Sequence, residues 1–575
     1  MKNRLSFKSF AVGLLLGGGI ITAIAWDDYF EISKNLEIHS VVYKELNNYY
    51  VDELNPGELM KTGIDAMLKS LDPYTNFYPE SQVEDARFEH TGTYGGIGAS
   101  FRMIDGSVVI SETYENAPSQ KVGIQPGDVI TQVSGKDIKG KKIGEVLNLV
   151  KGSPGTKVNV KILRDNAEKD FEIVREEIKV KNVPYSDLIT EDIGYIKLEG
   201  FTNDAGKEVR DALVALKEKG KLKGVILDLR GNPGGLLREA INVSNVFIDK
   251  DKLVVNTKGK IQESNRTYKT LNPATDAQIP LVVLIDRSSA SAAEIVSGTM
   301  QDYDRGVIIG NKSYGKGLVQ ITKPLVYNAQ LKVTTSKYYV ASGRCIQAIE
   351  YSGKSKGSKV PDSLQNEFKT AMGRKVYDGG GVMPDIEVND QILHSVTLSL
   401  LKKNLIFKFA NQYRKTHETI AEPEKFVLSD ADYTSFISFV NSNGITYETH
   451  TEKAFSELVK QAEKEKYSGK IGSELTALQN KLKGEKKNDL ELFKDEIKEF
   501  LTLEIVQRYY FETGRIKTAR RYDKDVIKAI EVLNTPALYS KVLSTQWQIP
   551  RYEGDVEGAK FEAEYMEDVK EGMDE

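Results

Sequence analysis

A serine hydroxyl is a poor nucleophile until an adjacent base takes its proton. The stretch 279–322 reads IPLVVLIDRSSASAAEIVSGTMQDYDRGVIIGNKSYGKGLVQIT and offers one candidate for each role, Ser291 among small residues and Lys316 between two glycines. Histidine is the usual base, but the five in this chain (His39, His90, His394, His417 and His450) all lie far from Ser291 in sequence. No GxSxG nucleophile elbow is present either. A lysine acts as a base only when neutral, which requires burial to lower its pKa from about 10.4. Gly315 and Gly317 permit the close, unusual backbone that such burial needs. Gln320 has the parity of Lys316 on an extended chain, at roughly 13 Å along a flat strand, so contact requires a bend at Gly317 or reach by both side chains. If they meet, the amide oxygen of Gln320 orients the amine. The same residues also have a plainer reading. Ser291-Ala-Ala-Glu294 ahead of an apolar run matches a capping box, Ser288 and Ser289 suit a turn, and a lone lysine or glutamine suits a solvated surface.

The elements around these residues are compatible with a site as well as with a cap. Ile279 to Ile285 is a short apolar run of the kind buried on both faces of a parallel sheet, and about Ala290 to Asp302 reads as helix. Such a strand-to-helix turn leaves the first backbone N–H groups of the helix unpartnered and converging, where they and the helix dipole would stabilise an oxyanion. Ala290, Ala292 and Ala293 add little bulk, so a substrate backbone can approach. The N–H of Ala292 is the first expected oxyanion donor.

SASAAEI, then MQDY, then SYGKGLVQ resembles the catalytic core of the carboxyl-terminal processing peptidases, or tail-specific proteases. The resemblance implies that Ser291 is the nucleophile, Lys316 the general base and Gln320 the support of the lysine, all at the family's spacing. It covers roughly residues 36 to 388. It also implies that the loop in RGNPGG donates the second oxyanion N–H, from Gly234 or, as the weaker choice, Gly235. A plain turn is the alternative there, and neither GxGxxG nor GxxxxGK[ST] occurs to suggest a phosphate loop.

The rest of the chain fits around this core. At 575 residues it is long enough for roughly three to five domains. Hydrophobic residues at 40% can build real cores, and a formal net charge of −4 leaves no basic footprint for nucleic acid. One cysteine, Cys345, excludes an intrachain disulfide; with no histidine near it in sequence, it reads as a small strand residue rather than a nucleophile. Lys2, Arg4 and Lys8 precede the apolar stretch Phe10 to Trp26, followed by Asp27 and Asp28. Residues 1–29 therefore read as a signal peptide or short anchor with its positive end inside, which puts the remainder in the periplasm or envelope, secreted or held at the inner membrane. Residues 30–89 read as helical, with Leu36, Val41, Leu46, Leu59, Ile64, Met67, Leu68 and Leu71 at helical spacing up to LDPYTNFYP, a segment read as packing support.

Residues 90–175 show short alternating strands between DG, PGD, SGKD and SPG turns. YGGIGASF with QPGDVITQVSGKDI resembles a PDZ domain, which implies that Gly96, Ile97, Gly98 and Ala99 offer backbone N–H groups to a peptide's terminal carboxylate. Residues 176–388 alternate strand and helix: Gly194 to Leu198, Asp204 to Lys219, Val225 to Leu229, then a helix from about Leu237 to Phe247. That alternation argues for an α/β core, and the resemblance is to a crotonase-like (ClpP-like) spiral, closed by SGRCIQ and DGGGVMPDI. Residues 389–575 read as a separate helical domain, including Glu452 to Lys483 and Asp489 to Tyr510, with a disordered acidic tail from Asp555.

The expected protein is thus a multidomain α+β serine endopeptidase that takes proteins or peptides by their accessible carboxyl termini. It needs no metal or organic cofactor, since HExxH is missing and one cysteine cannot make a cysteine-rich zinc site. An envelope adaptor and a homodimer are possible partners. The rivals are a PDZ-bearing envelope scaffold with an inactive core and an acyl-thioester enzyme on the same fold.

Overall fold

The computed structural model describes residues 29–83, 87–88, 91–351, 356–361, 364–389 and 393–549. The apolar amino-terminal stretch read as signal or anchor lies outside them, as do His90 and the acidic tail. No helix of the described residues is long and apolar enough to cross a membrane. The chain divides into two units, one made of the residues up to Glu80 with Gln320–Thr334, the other of Ser81–Val319 with the residues from Thr335 on.

The centre of the larger unit is a six-stranded sheet: β1 (Tyr185–Leu188), β2 (Ile193–Lys197), β3 (Gly224–Asp228), β4 (Leu281–Ile285), β5 (Val307–Gly310) and β6 (Ile386–Glu387). Spatial order follows chain order, with β1 antiparallel to β2 and every later pair parallel. β3, β4 and β5 are buried at every position, because both faces are covered and alternate residues point to opposite sides. Val225, Leu227, Val283 and Ile285 pack with Val209 and Leu213 of α1 (Ala205–Lys219), Val243 and Phe247 of α2 (Leu237–Phe247), and Val296 and Met300 of α3 (Ala292–Asp302).

The opposite face holds Ile226, Val282, Leu284, Val307 and Ile309, packed with Val526, Ala529, Val532 and Leu533 of α4 (Lys524–Asn534) and Val542 of α5 (Pro536–Val542). The last described helices thus form a layer of the core. A Cβ at Gly224 would lie 2.6 Å from Leu533 Cδ2, so the strand is glycine where the helix seats its leucine. Leu533→Ala is expected to lower stability by about 2–5 kcal/mol, read by urea unfolding of the full chain. A loss below about 0.5 kcal/mol, the scale of surface changes, would contradict this packing.

Buried charge locks the end of α3. Arg374 pairs with Asp304 and Asp385, both at 2.6 Å, Arg344 pairs with Asp302 at 3.0 Å, and Gln301 bonds Asp385 and Arg344. The MQDYD, SGRC and VMPDI strings are therefore one network.

In residues 99–174 the strands Ala99–Ile104, Ser107–Thr113, Val129–Val133, Lys157–Arg164 and Ala167–Val174 follow one another in an antiparallel sheet, with Ala99–Ile104 at its edge. Helix Ile143–Val150 packs on that edge strand and on Val129–Val133. Arg175 caps its end, donating to Val150 O at 2.8 Å and Leu149 O at 3.0 Å. The sheet meets the carboxyl-terminal helices through Phe407, which packs with Ile104 and Val109 beneath the guanidinium groups of Arg102 and Arg508.

In the smaller unit, the helical region expected from sequence holds two helices, 29–49 and Pro56–Lys69. Asn55 interrupts the run by accepting the first N–H groups of the second helix. Of the apolar positions named above only Leu68 is buried; Leu36, Val41, Leu46, Met67 and Leu71 are exposed. The LDPYTNFYP segment turns on Asp72, whose carboxylate accepts Tyr74 N–H and Thr75 N–H, both at 2.8 Å. It then pairs Asn76–Tyr78 with residues 330–332.

Candidate active site

The turn after β4 is built by Asp286. Its carboxylate accepts Ser288 N–H at 3.0 Å and Ser289 N–H at 2.9 Å, and the Ser289 hydroxyl donates to Leu229 O at 2.8 Å. Both serines serve the turn. The same carboxylate accepts Gly231 N–H at 3.0 Å, and Asn232 O accepts Ala290 N–H at 2.9 Å. The RGNPGG loop and the SAS turn are thereby tied together at two points.

Ser291 follows with φ at 55°, a left-handed conformation uncommon outside glycine. Its side chain makes no capping bond, so the hydroxyl is not used as the capping-box reading requires. The reciprocal half of that box forms, with Ser291 N–H donating to Glu294 Oε2 at 2.8 Å.

Glu294 has no solvent exposure. Its Oε1 accepts the Ser313 hydroxyl at 2.6 Å and Gly315 N–H at 2.7 Å, and its Oε2 accepts Lys316 N–H at 2.9 Å as well as Ser291 N–H. An ionised carboxylate has about four acceptor positions, and all are taken. Burial pushes this carboxyl up, and the bonds from Ser313, Lys316, Gly315 and Ser291 pull against that rise. Because one oxygen holds Ser291 N and Lys316 N, those nitrogens lie within about 6 Å of each other. On the carbonyl side the Tyr338 hydroxyl lies 3.1 Å from Ser291 O and 2.8 Å from Lys316 O, sharing its proton between them. The structure thus brings the Ser291 and Lys316 main chains together at both ends. Both residues are half-buried.

The glycines beside Lys316 are needed for space. A Cβ on Gly315, whose φ is +90°, would meet Ala348 Cβ at 2.4 Å, and one on Gly317 would meet Gln347 N at 2.8 Å. Gly317 N–H donates to Gln347 Oε1 at 2.6 Å. The SGRCIQ segment, given only a structural part from sequence, therefore holds the lysine's loop. Gln320 falls in the smaller unit, where its amide donates to Thr334 Oγ1 at 3.1 Å.

Ala292 N–H has no hydrogen-bond partner among the described residues. Gly234 backs directly onto it: a Cβ there would lie 2.7 Å from Ala290 O, 2.8 Å from Ser291 Cβ and 2.9 Å from Ala292 N. The Gly234 N–H itself donates to Asn232 Oδ1 at 2.8 Å. Asn232 thus takes the Gly234 N–H, while Gly235 N–H has no partner among the described residues. Sequence alone does not tell which of two adjacent glycines the asparagine folds back on.

Residues 96–99 form a turn whose carbonyls face inward. Ile97 O accepts Ser119 N–H at 2.8 Å, and Gly98 O accepts Tyr114 N–H at 3.0 Å and the Ser119 hydroxyl at 2.7 Å. The N–H groups of Ile97 and Gly98 have no partner among the described residues. Gly98, with φ at +69°, passes so close to Ala117 that a Cβ would meet it at 2.3 Å. Gly96 and Ala99 end and begin the flanking strands. Burial pushes the Cys345 thiol up, opposite to what a nucleophilic thiolate needs.

Sequence reasoning missed Glu294 as the organiser, Tyr338 and Gln347. Glu294 carried a signal, since it stands where a capping box puts its acid; Tyr338 lies on an alternating strand with nothing to mark it.

A model of peptidase family S41 matches residues 192–353, a PDZ domain model residues 95–174, and the model described as "Probable PDZ-protease, C-terminal helical domain" residues 396–533. The matches are those of a serine-type peptidase of mixed α+β structure with a PDZ domain and a helical carboxyl-terminal region. The "Probable CtpA-like serine protease" of Staphylococcus aureus (strain MRSA252) is 36% identical over 354 residues, 60% of this chain and 70% of its own. That of Staphylococcus haemolyticus (strain JCSC1435) is 35% identical over 363 residues, 60% of this chain and 71% of its own. The chain belongs to the carboxyl-terminal processing peptidase family. Among solved structures, the photosystem II D1 C-terminal processing protease aligns at 23% identity and a TM-score of 0.33, over 60% of this chain and 91% of its own.

Proposed function

We propose that this chain is an exported endopeptidase that captures protein carboxyl-terminal tails on its PDZ domain and cleaves with Ser291 as nucleophile and Lys316 as general base. The observation that carries the reading is the single Glu294 oxygen that accepts the N–H groups of both residues. Lys316 Nζ takes the hydroxyl proton as Ser291 Oγ bonds to the peptide carbonyl carbon, and the carbonyl electrons move to an oxygen facing Ala292 N–H, with Gly235 N–H as second donor. When the tetrahedral centre collapses, the carbon–nitrogen bond breaks and the amine leaves with the proton from Lys316. Water, deprotonated by the same lysine, then hydrolyses the acyl ester and restores the serine. Gln320 supports the lysine in this reading, as the family resemblance implies, and the α/β alternation of the core suits a crotonase-like spiral.

Tail capture rests on the uncommitted N–H groups of Ile97 and Gly98 beside the edge strand Ala99–Ile104, where a peptide can add as a further strand. Export rests on the basic-then-apolar amino terminus and assigns the protein to the envelope; an envelope adaptor and a homodimer are the further partners this reading allows. The test is cleavage of one unfolded protein carrying an apolar tail with either a free or an amidated terminal carboxyl. Amidation is expected to raise KM about tenfold with kcat little changed; equal KM values would sink tail capture.

A further inference from the structure

The RGNPGG loop leaves β3 through Arg230, and what holds Arg230 comes from the far end of the chain. Its Nε donates to Asp228 Oδ1 at 3.0 Å and one terminal nitrogen to Asp228 Oδ2 at 2.7 Å. That same nitrogen donates to Asp523 Oδ2 at 2.6 Å, and the other reaches Asp523 Oδ1 at 2.8 Å and Asp525 Oδ2 at 2.9 Å. A guanidinium has five N–H donors in a rigid fork, and here all five are spent, two of them on each of two bidentate carboxylates. Asp523 also caps α4, accepting Asp525 N–H and Val526 N–H, both at 3.1 Å. On the loop's other side Lys197 Nζ donates to Arg230 O at 2.6 Å.

From this anchor the main chain passes Gly231, held by Asp286, and Asn232, held to Ala290, and reaches Gly234, which backs onto Ser291 and Ala292 N. Charge explains why the grip needs the helix. Burial pushes the Asp228 carboxyl up, but Arg230, Lys197 and the Tyr195 hydroxyl together leave it well below the usual carboxylate range, so Arg230 faces a firmly ionised partner within the core. The second fork from Asp523 fixes the plane of the guanidinium. Burial pushes Asp525 up to about 6, above the usual carboxylate range.

We propose that Asp523, assisted by Asp525, is a positioning residue: by clamping Arg230, the start of α4 sets the RGNPGG loop against Ala292 N–H, so that the carboxyl-terminal helical region is a working part of the oxyanion site. The inference rests on the proposed role of that loop and of Ser291.

The test uses the full chain with Asp523→Asn, which keeps a good helix cap and removes the charged fork. Expected is a fall in kcat of about fivefold or more, the scale of a coupling between sites, with KM within about twofold and the same fall in the rate at which a fluorophosphonate labels the serine. Asn534→Ala, which removes the bond from Lys223 at the other end of α4 (2.7 Å), is expected to leave kcat unchanged. An unchanged kcat in Asp523→Asn, or an equal fall in Asn534→Ala, overturns the proposal. Should Asp523→Asn not fold, Asp525→Asn decides, with a fall of about twofold expected and none overturning it. Ser291→Ala in the same assay separates the outcomes, since activity there would refute the nucleophile rather than the clamp.

Discussion

Ser291→Ala and Lys316→Ala are each expected to lower the cleavage rate of an unfolded protein by at least about 10⁴-fold, the scale seen when one member of a nucleophile and base pair is removed. The circular dichroism spectrum should not change. Ser291 is fixed by its main chain, through Glu294 on the N–H side and Tyr338 on the carbonyl side, and its hydroxyl caps nothing. Lys316 is fixed in the same way. When either side chain is removed, the main-chain bonds that hold α3 and the glycine loop remain. The wild-type rate should rise with pH as the base loses its proton, and a flat profile between about pH 5 and 9 would count against lysine in that role. Wild-type activity in purified Ser291→Ala would end the proposed mechanism.

What the sequence made legible follows from how local each signal is. The buried runs around Val225 and Val282 announce themselves because both faces of the sheet are covered, so no polar residue interrupts them. The helix from Leu237 to Phe247 and the one ending at Asp302 have the expected bounds within two residues, because an apolar stripe marks each. Ser291 and Lys316 were recognisable from small neighbours and flanking glycines, and the need for those glycines is visible in Ala348 and Gln347 pressing against them.

What sequence hid is long-range. Nothing near Val526 or Leu533 says that their partners are Ile226 and Val282, so the last helices read as an appendage when they form one wall of the core. Arg230 likewise reads as a turn residue until Asp523 is beside it. Asn232 and Gly234 differ from Asn232 and Gly235 only in which N–H the amide oxygen meets, a choice made by backbone torsion that composition does not record. The exposed apolar face of helix 29–49 was legible as a stripe, but a stripe tells that a face is apolar and not what covers it.

Glu294→Gln is expected to cost the enzyme about 10- to 100-fold in kcat with KM within about twofold. The carboxylate accepts two donors on each oxygen, whereas an amide has only one acceptor end. If its NH₂ turns toward Ser313, the hydroxyl can rotate, but Gly315 N–H is left facing a donor. If it turns the other way, the N–H groups of Ser291 and Lys316 both lose their acceptor. A buried donor without a partner costs about 1–3 kcal/mol, and the loop relieves that cost by moving, which separates the two main chains that Glu294 holds together. Substrate affinity should survive, because tail capture is assigned to residues 96–99 rather than to this carboxylate. Glu294→Asp discriminates charge from geometry. It keeps the negative charge but is one methylene short and cannot span all four donors, so it too should be impaired. A fully active Asp variant would mean that charge alone suffices, and a fully active Gln variant would mean that Glu294 is only a cap.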